Sequence, residues 1–174
     1  MGECRGTRTG EEAVKPWGIN TMKQTKNLKE LFEQLYDGEP WIDSNFMNTI
    51  GLLNAKQAGK RVSPKWNTIW EITNHIIDWR NHVIGRLEGK DIKVGDDNYF
   101  KPIKNKSEKA WQETLLRFAE SQEKWVKFLS IAKDKDLDIT HPNVSRSNSE
   151  LFYAILLHDT YHLGQLVMLS KAVQ

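Results

Sequence analysis

The chain has 174 residues, 39% of them hydrophobic and 28% charged, with a formal net charge of +2. That is the composition of one globular domain rather than of a disordered chain or of two cores. It carries no clustered Lys/Arg block for a nucleic-acid surface, and its longest apolar run, Leu151 to Leu157, is far short of the ~20 residues of a membrane span.

Residues 1–21 show neither helical nor strand periodicity and read as a mobile extension, with Met22 a candidate functional start and 22–174 the folded domain. The lone Cys4 permits no intramolecular disulfide, and no apolar leader follows the N-terminus, so a cytoplasmic location is expected.

From Met22 onward the pattern is helical. A short helix is predicted over about 26–37, its stripe made by Leu28, Leu31, Phe32 and Leu35, ending at Gly38 and Pro40. A second is predicted over about 43–58, ending at Gly59. The third opens on Thr68 and Glu71, which have capping-box spacing, and ends at Gly89. The fourth spans about 107–132. Trp111 and Trp125 belong to its inner face, and Glu113–Arg117, Glu120–Lys124 and Glu123–Lys127 have i,i+4 pairing spacing outside. The fifth opens on Ser147 and Glu150, a second capping-box pair, and runs to about 172.

Four long apolar-striped helices predict an all-α fold: a four-helix bundle with an extra short N-terminal helix packed across one end or side. Two long connecting loops, 89–106 and 133–147, complete it. The first holds Tyr99 and Phe100, apolar enough to fold back onto the bundle.

The last helix carries two histidines, His158 and His162, one turn apart. At 100° per residue, Leu151, Ile155, His162 and Leu169 all fall within about 60° of His158, so both rings are expected in the middle of the apolar stripe. A buried imidazole with unmet nitrogens costs about 1–3 kcal/mol per group. Spacing of i,i+4 lets two rings converge on one metal ion, while two core histidines each bonded to a carbonyl or a tyrosine hydroxyl is the bland alternative. This helix alone leaves both readings open.

Nothing after His162 can be a third His, Cys, Asp or Glu ligand, and Asp159 stands where a zincin protease motif needs Glu. A third ligand must come from upstream, and His75 lies among Ile72, Ile76 and Trp79 in the apolar sector of the third helix. His82 is ~10 Å further along that helix and is assigned a packing or surface role; His141, before Pro142, reads as a solvated loop residue. A di-iron carboxylate site is not supported, since neither His75 nor His158 has Glu three residues before it.

The stretch from Trp66 to Gly89, the segment 35–62, and the "HxxxHxGQ" pattern from His158 to Gln165 together resemble the DinB/YfiT-like superfamily of metal-binding helical bundles. The resemblance covers about Leu28 to the C-terminus, with 90–147 matching only in helical character. It implies a divalent transition metal held by His75, His158 and His162, often in a homodimer. It also implies, in some relatives, transfer of low-molecular-weight thiols or thiol-dependent isomerisation.

Three imidazoles suit zinc, nickel, iron or copper; zinc or nickel is expected first, then iron. They leave an open position, as catalytic zinc sites do. The expected function is therefore a metal-dependent enzyme acting on a small molecule, as a thiol S-transferase or a hydrolase. The alternative is a non-catalytic, stress-associated metal-binding protein. Asp159 is expected to pair on the surface or to orient a neighbouring imidazole, with surface pairing favoured. Gln165 is expected to bond a metal-ligating ring, to meet substrate or to make a simple buried contact.

Overall fold

A computed structural model describes residues 24–142 and 144–174, so the expected extension over 1–21, Cys4 and Met22 lie outside the described residues. The helices are α1 (Gln24–Tyr36), α2 (Phe46–Ile50), α3 (Ala55–Ala58), α4 (Ile69–Leu87), α5 (Glu108–Ile131) and α6 (Asn148–Val173), with a 3-10 turn at Asp134–Asp136. Among the described residues none of these is long and apolar enough to cross a membrane.

The bundle is there, but its fourth member is not the one the sequence suggested. The helix predicted over 43–58 is broken into α2 and α3. Asn45 accepts from the Asn48 amide at 2.7 Å, and Asn54 forms a capping box with Gln57. Each asparagine offers the backbone a local partner that competes with continuing the helix, so the chain restarts at each. The Glu108 carboxylate then accepts from the Ala55 amide at 2.8 Å, fixing α3 against the start of α5. The place in the bundle falls to α1, which lies along α5 rather than across an end: Phe32 stacks on Trp125 at 5.0 Å, and Tyr36 meets Phe118 at 5.5 Å. Asp134 fastens the other end of α1, accepting from the Gln24 and Thr25 amides at 3.1 Å each.

Cross-helix contacts fix the directions. Trp70 donates to Thr114, Arg117 to Asn74 and Lys124 to Asn81, so α4 and α5 run parallel. The Arg117 and Lys124 side chains thus reach across to α4 rather than to the glutamates one turn before them. Phe32 facing Trp125 while Tyr36 faces Phe118 makes α1 antiparallel to α5. His75 facing His162 while Arg80 faces Asp159 makes α6 antiparallel to α4.

The chain therefore runs up, down, down and up. Two parallel consecutive helices need a connection that travels back the length of α4, about 28 Å for 19 residues. The long loop after Gly89 makes that return, and its midpoint passes beside His75.

The two predicted capping boxes are both made, and α5 is capped as well. Thr68 with Glu71 and Ser147 with Glu150 form full capping boxes, and Ser107 accepts from the Ala110 amide. Gly89 ends α4 with φ +79°, and a Cβ there would lie 3.2 Å from His141 Nδ1. Trp70, Trp111 and Trp125 are all core residues, as the helical stripe implied for the last two.

Candidate metal centre

On α6 the buried arc is centred not on His158 but about 80–100° away, on Asp159 and Leu166, with Phe152, Leu163 and Ser170 beside them. His162 lies inside that arc and is buried. His158 lies at its margin, with 22% of its side chain exposed, and Ala154 beyond it faces solvent. The expectation that both rings sit mid-stripe is corrected accordingly: the pair lines the edge of the core, and His158 stands at the solvent side.

His75, in the second turn of α4, meets the pair from across the seam. Ring centroids are 5.0 Å from His75 to His158, 4.7 Å from His75 to His162 and 4.4 Å between the α6 rings. One nitrogen from each ring can be chosen so that all three lie within 4.8 Å of one another.

Each ring is held from outside by its Nδ1. The His75 Nδ1–H donates to the Asn98 carbonyl at 2.8 Å. The His162 Nδ1–H donates to Gln165 Oε1 at 2.7 Å, and Gln165 Nε2 in turn donates to the Tyr161 hydroxyl at 2.9 Å. His158 Nδ1 faces Asp159 Oδ1 at 3.4 Å. A carbonyl, an amide oxygen and a carboxylate oxygen can only accept, so each neutral ring carries its proton on Nδ1 and its lone pair on Nε2. This is how ligating histidines are oriented in metal sites.

The consequence is an unsatisfied centre. The Nε2 atoms of His75 and His158 lie 3.0 Å apart with no proton available between two such tautomers. Burial, followed by the charges that His162 and His158 would carry, lowers the His75 pKa from 6.5 to about 4. His162 is lowered as well, first by burial and then by His158, against the opposing pull of Gln165 and Asp159. Converging ring nitrogens, two of them on rings whose pKa is lowered by burial, form a set that could hold a cation. An ion with metal–nitrogen bonds of 2.0–2.1 Å holds two nitrogens about 2.9–3.4 Å apart, a range that includes the separation of His75 from His158, with a nitrogen of His162 within 4.8 Å of both. The residues fit a metal ion, and the bland alternative satisfies only half of each ring.

The crossover loop closes one flank. Phe100 stacks on the His75 ring at 3.8 Å with an interplanar angle of 8°. Asn98 and Tyr99 adopt φ of 46° and 62°, left-handed conformations that cost non-glycine residues about 1–3 kcal/mol each and persist only where the surroundings impose them. Here the constraint is visible. The Asn98 carbonyl is held by His75, and the Tyr99 hydroxyl lies 2.9 Å from His82 Nδ1. His82 packs against Trp79 and Tyr99, in the packing role assigned to it. Burial, with Arg86 second, lowers its pKa. His141 is not the solvated loop residue expected: its ring lies over Gly89 and its Nε2 is buried.

Asp159 departs furthest from expectation. Instead of pairing at the surface it is fully buried, its Oδ2 accepting from Arg80 Nε at 2.7 Å while Arg80 is equally buried. Arg80 also donates to Ser121 at 3.3 Å and lies 4.9 Å over the Phe118 ring. The signal was present. Ile69, Thr73, Ile76, Arg80, Val83 and Leu87 follow 4-3-4-3-4 spacing on α4, and Phe152, Leu156, Asp159, Leu163 and Leu166 follow 4-3-4-3 on α6. Opposite charges at core positions of facing helices announce a buried pair. Asn98 carried no comparable signal, because it acts through its backbone carbonyl.

A family model described as the DinB superfamily matches residues 41–166, well over half the chain, including the three histidines, Arg80 and Asp159. No curated protein matches the chain, and no solved structure does. The chain belongs to the DinB superfamily.

Proposed function

From that membership and the geometry of the centre, we propose that the protein is a metal-dependent enzyme acting on a small molecule, as a thiol S-transferase or a hydrolase. In this reading His75, His158 and His162 hold one divalent ion, zinc or nickel before iron. The observation that supports it is the convergence of three imidazoles whose Nδ1 atoms are engaged from outside, with one nitrogen from each ring within 4.8 Å of the others.

An ion so held supplies Lewis acidity and an open position at which a water or a thiol is activated. The chain's own residues do the rest. Asn98, Asp159 and Gln165 fix the three rings, Phe100 covers His75, and the exposed edge of His158 leaves an approach from solvent. That approach favours turnover over a closed structural or sensory centre. Among the described residues, no further His, Cys, Asp or Glu joins the cluster.

The same reading includes a homodimer. Tyr153, Leu157, Tyr161 and Met168 form an exposed apolar stripe along α6, with Glu150 at one end of the helix and Lys171 at the other. Antiparallel pairing of two such helices about a two-fold axis brings each glutamate to the partner's lysine. Leu157→Glu is expected to turn a dimer into a monomer by light scattering, and a monomeric wild type contradicts this part.

The catalytic reading is tested by loading the protein with zinc or nickel and screening low-molecular-weight thiols against alkyl and aryl electrophiles, beside ester and amide hydrolysis panels. Turnover by the wild type that is lost in His162→Ala supports it. A stoichiometrically loaded protein inert in every panel assigns the centre to a non-catalytic metal-binding protein.

A further inference from the structure

We infer that Arg80 and Asp159 form a positioning unit that sets the tautomer of His158, and through it the affinity of the centre for metal; this rests on the three-histidine reading proposed above. The two residues are buried completely, on facing helices. As a device for stability alone the pair is a poor choice. Two charges taken out of water cost several kcal/mol each, and hydrophobic replacements of similar volume are often as stable or more so.

What hydrocarbon cannot do is present an acceptor to His158. Arg80 Nε binds Asp159 Oδ2 at 2.7 Å, which turns the other oxygen, Oδ1, toward His158 Nδ1 at 3.4 Å. Arg80 is itself oriented by Ser121 and by the face of Phe118, so the carboxylate cannot swing freely. The three rings thus have three different anchors. His75 relies on a backbone carbonyl and His162 on a neutral amide, whereas His158, the most exposed of them, relies on the carboxylate of the next residue on its own helix, which Arg80 holds from across the seam. The ring most open to water thus has a carboxylate for its anchor rather than a neutral acceptor, at the longest of the three contacts.

Two variants separate this role from a structural one. Arg80→Met with Asp159→Leu removes both charges and keeps the volume. Asp159→Asn keeps the shape, but its amide can accept from Arg80 only by turning its NH2 toward His158. That NH2 donates to Nδ1 and moves the ring proton to Nε2, where a metal must bind. Tautomers are read by nitrogen NMR on metal-free protein, and zinc affinity by competition with a chelator.

In the wild type, His158 is expected as the Nδ1–H form. The double variant loses that preference while His75 and His162 keep theirs, and its zinc affinity falls about 10–100-fold, the range for partners behind a metal ligand. Asp159→Asn shows His158 as Nε2–H and binds zinc more weakly than the double variant. A purely structural role predicts a different order, with affinity tracking thermal stability. If both variants keep the wild-type tautomer and bind zinc within about twofold of wild type, the inference is overturned. A wild type that binds no zinc or nickel removes the metal reading instead, and the tautomer measurement still decides whether Arg80 and Asp159 position the ring.

Discussion

Two seams of the bundle, between α1 and α5 and between α4 and α6, are built from different materials. Between α1 and α5 the contact is hydrocarbon and aromatic: Leu28, Phe32 and Leu35 face Phe118, Trp125 and Leu129, all buried. Between α4 and α6 the middle of the seam holds three imidazoles, an arginine and an aspartate, with Trp79 and Phe100 packed around them. One seam gains stability directly from removing apolar surface from water. The other gives up part of that gain to hold polar groups in fixed orientations. Apolar packing and the positioning of polar groups thus fall on opposite sides of one fold, and substitutions should separate them.

The largest effect on folding is expected in the apolar seam. Phe32→Ala removes the ring stacked on Trp125 and should cost about 3–5 kcal/mol in denaturant unfolding, with the metal stoichiometry of the folded fraction unchanged. The reverse is expected in the polar seam. His162→Ala should weaken zinc binding by more than about 100-fold, roughly 2.7 kcal/mol, and should leave the unfolding midpoint of the metal-free protein close to that of the wild type. A loss of metal in Phe32→Ala, or none in His162→Ala, breaks the division.

Acid gives an effect of intermediate size on the metal-free protein. His75 has a folded pKa of about 4 against 6.5 for the free side chain, so the unfolded chain binds more protons between those values. Stability should be level above pH 6.5, decline as the pH falls toward 4 and lose nothing further from this group below that. His75→Phe should flatten the decline in a pH series of unfolding midpoints. The smallest effect is expected at a helix end. Thr68→Ala removes the cap of α4 and should cost about 1 kcal/mol, with zinc affinity preserved because His75 lies beyond the first turn.

Much of this was legible in the sequence, and the parts that were not share a cause. Capping boxes are local, so Thr68, Glu71, Ser147 and Glu150 could be read in place. Apolar stripes are local as well, and they gave α4, α5 and α6 within a few residues. The break between α2 and α3 was masked because Phe46, Ile50 and Leu53 keep helical spacing through it, while Asn45 and Asn54 restart the backbone. The three histidines could be singled out by residue type and face. An arc of α6 centred on His158 hides the burial of Asp159, which the 4-3 spacing of Phe152, Leu156, Leu163 and Leu166 reveals. The role of Asn98 depends on the parallel course of α4 and α5, which forces a return loop past His75. No local pattern encodes that.

The central claim is that three imidazoles from α4 and α6 share one cation. Anomalous diffraction at the absorption edge of the bound metal, on crystals of the zinc- or nickel-loaded protein, tests it most directly. A single peak about 2.0–2.1 Å from Nε2 of His75, His158 and His162 is the predicted result. A peak elsewhere, or those rings closed on one another by hydrogen bonds with no metal between them, would contradict it.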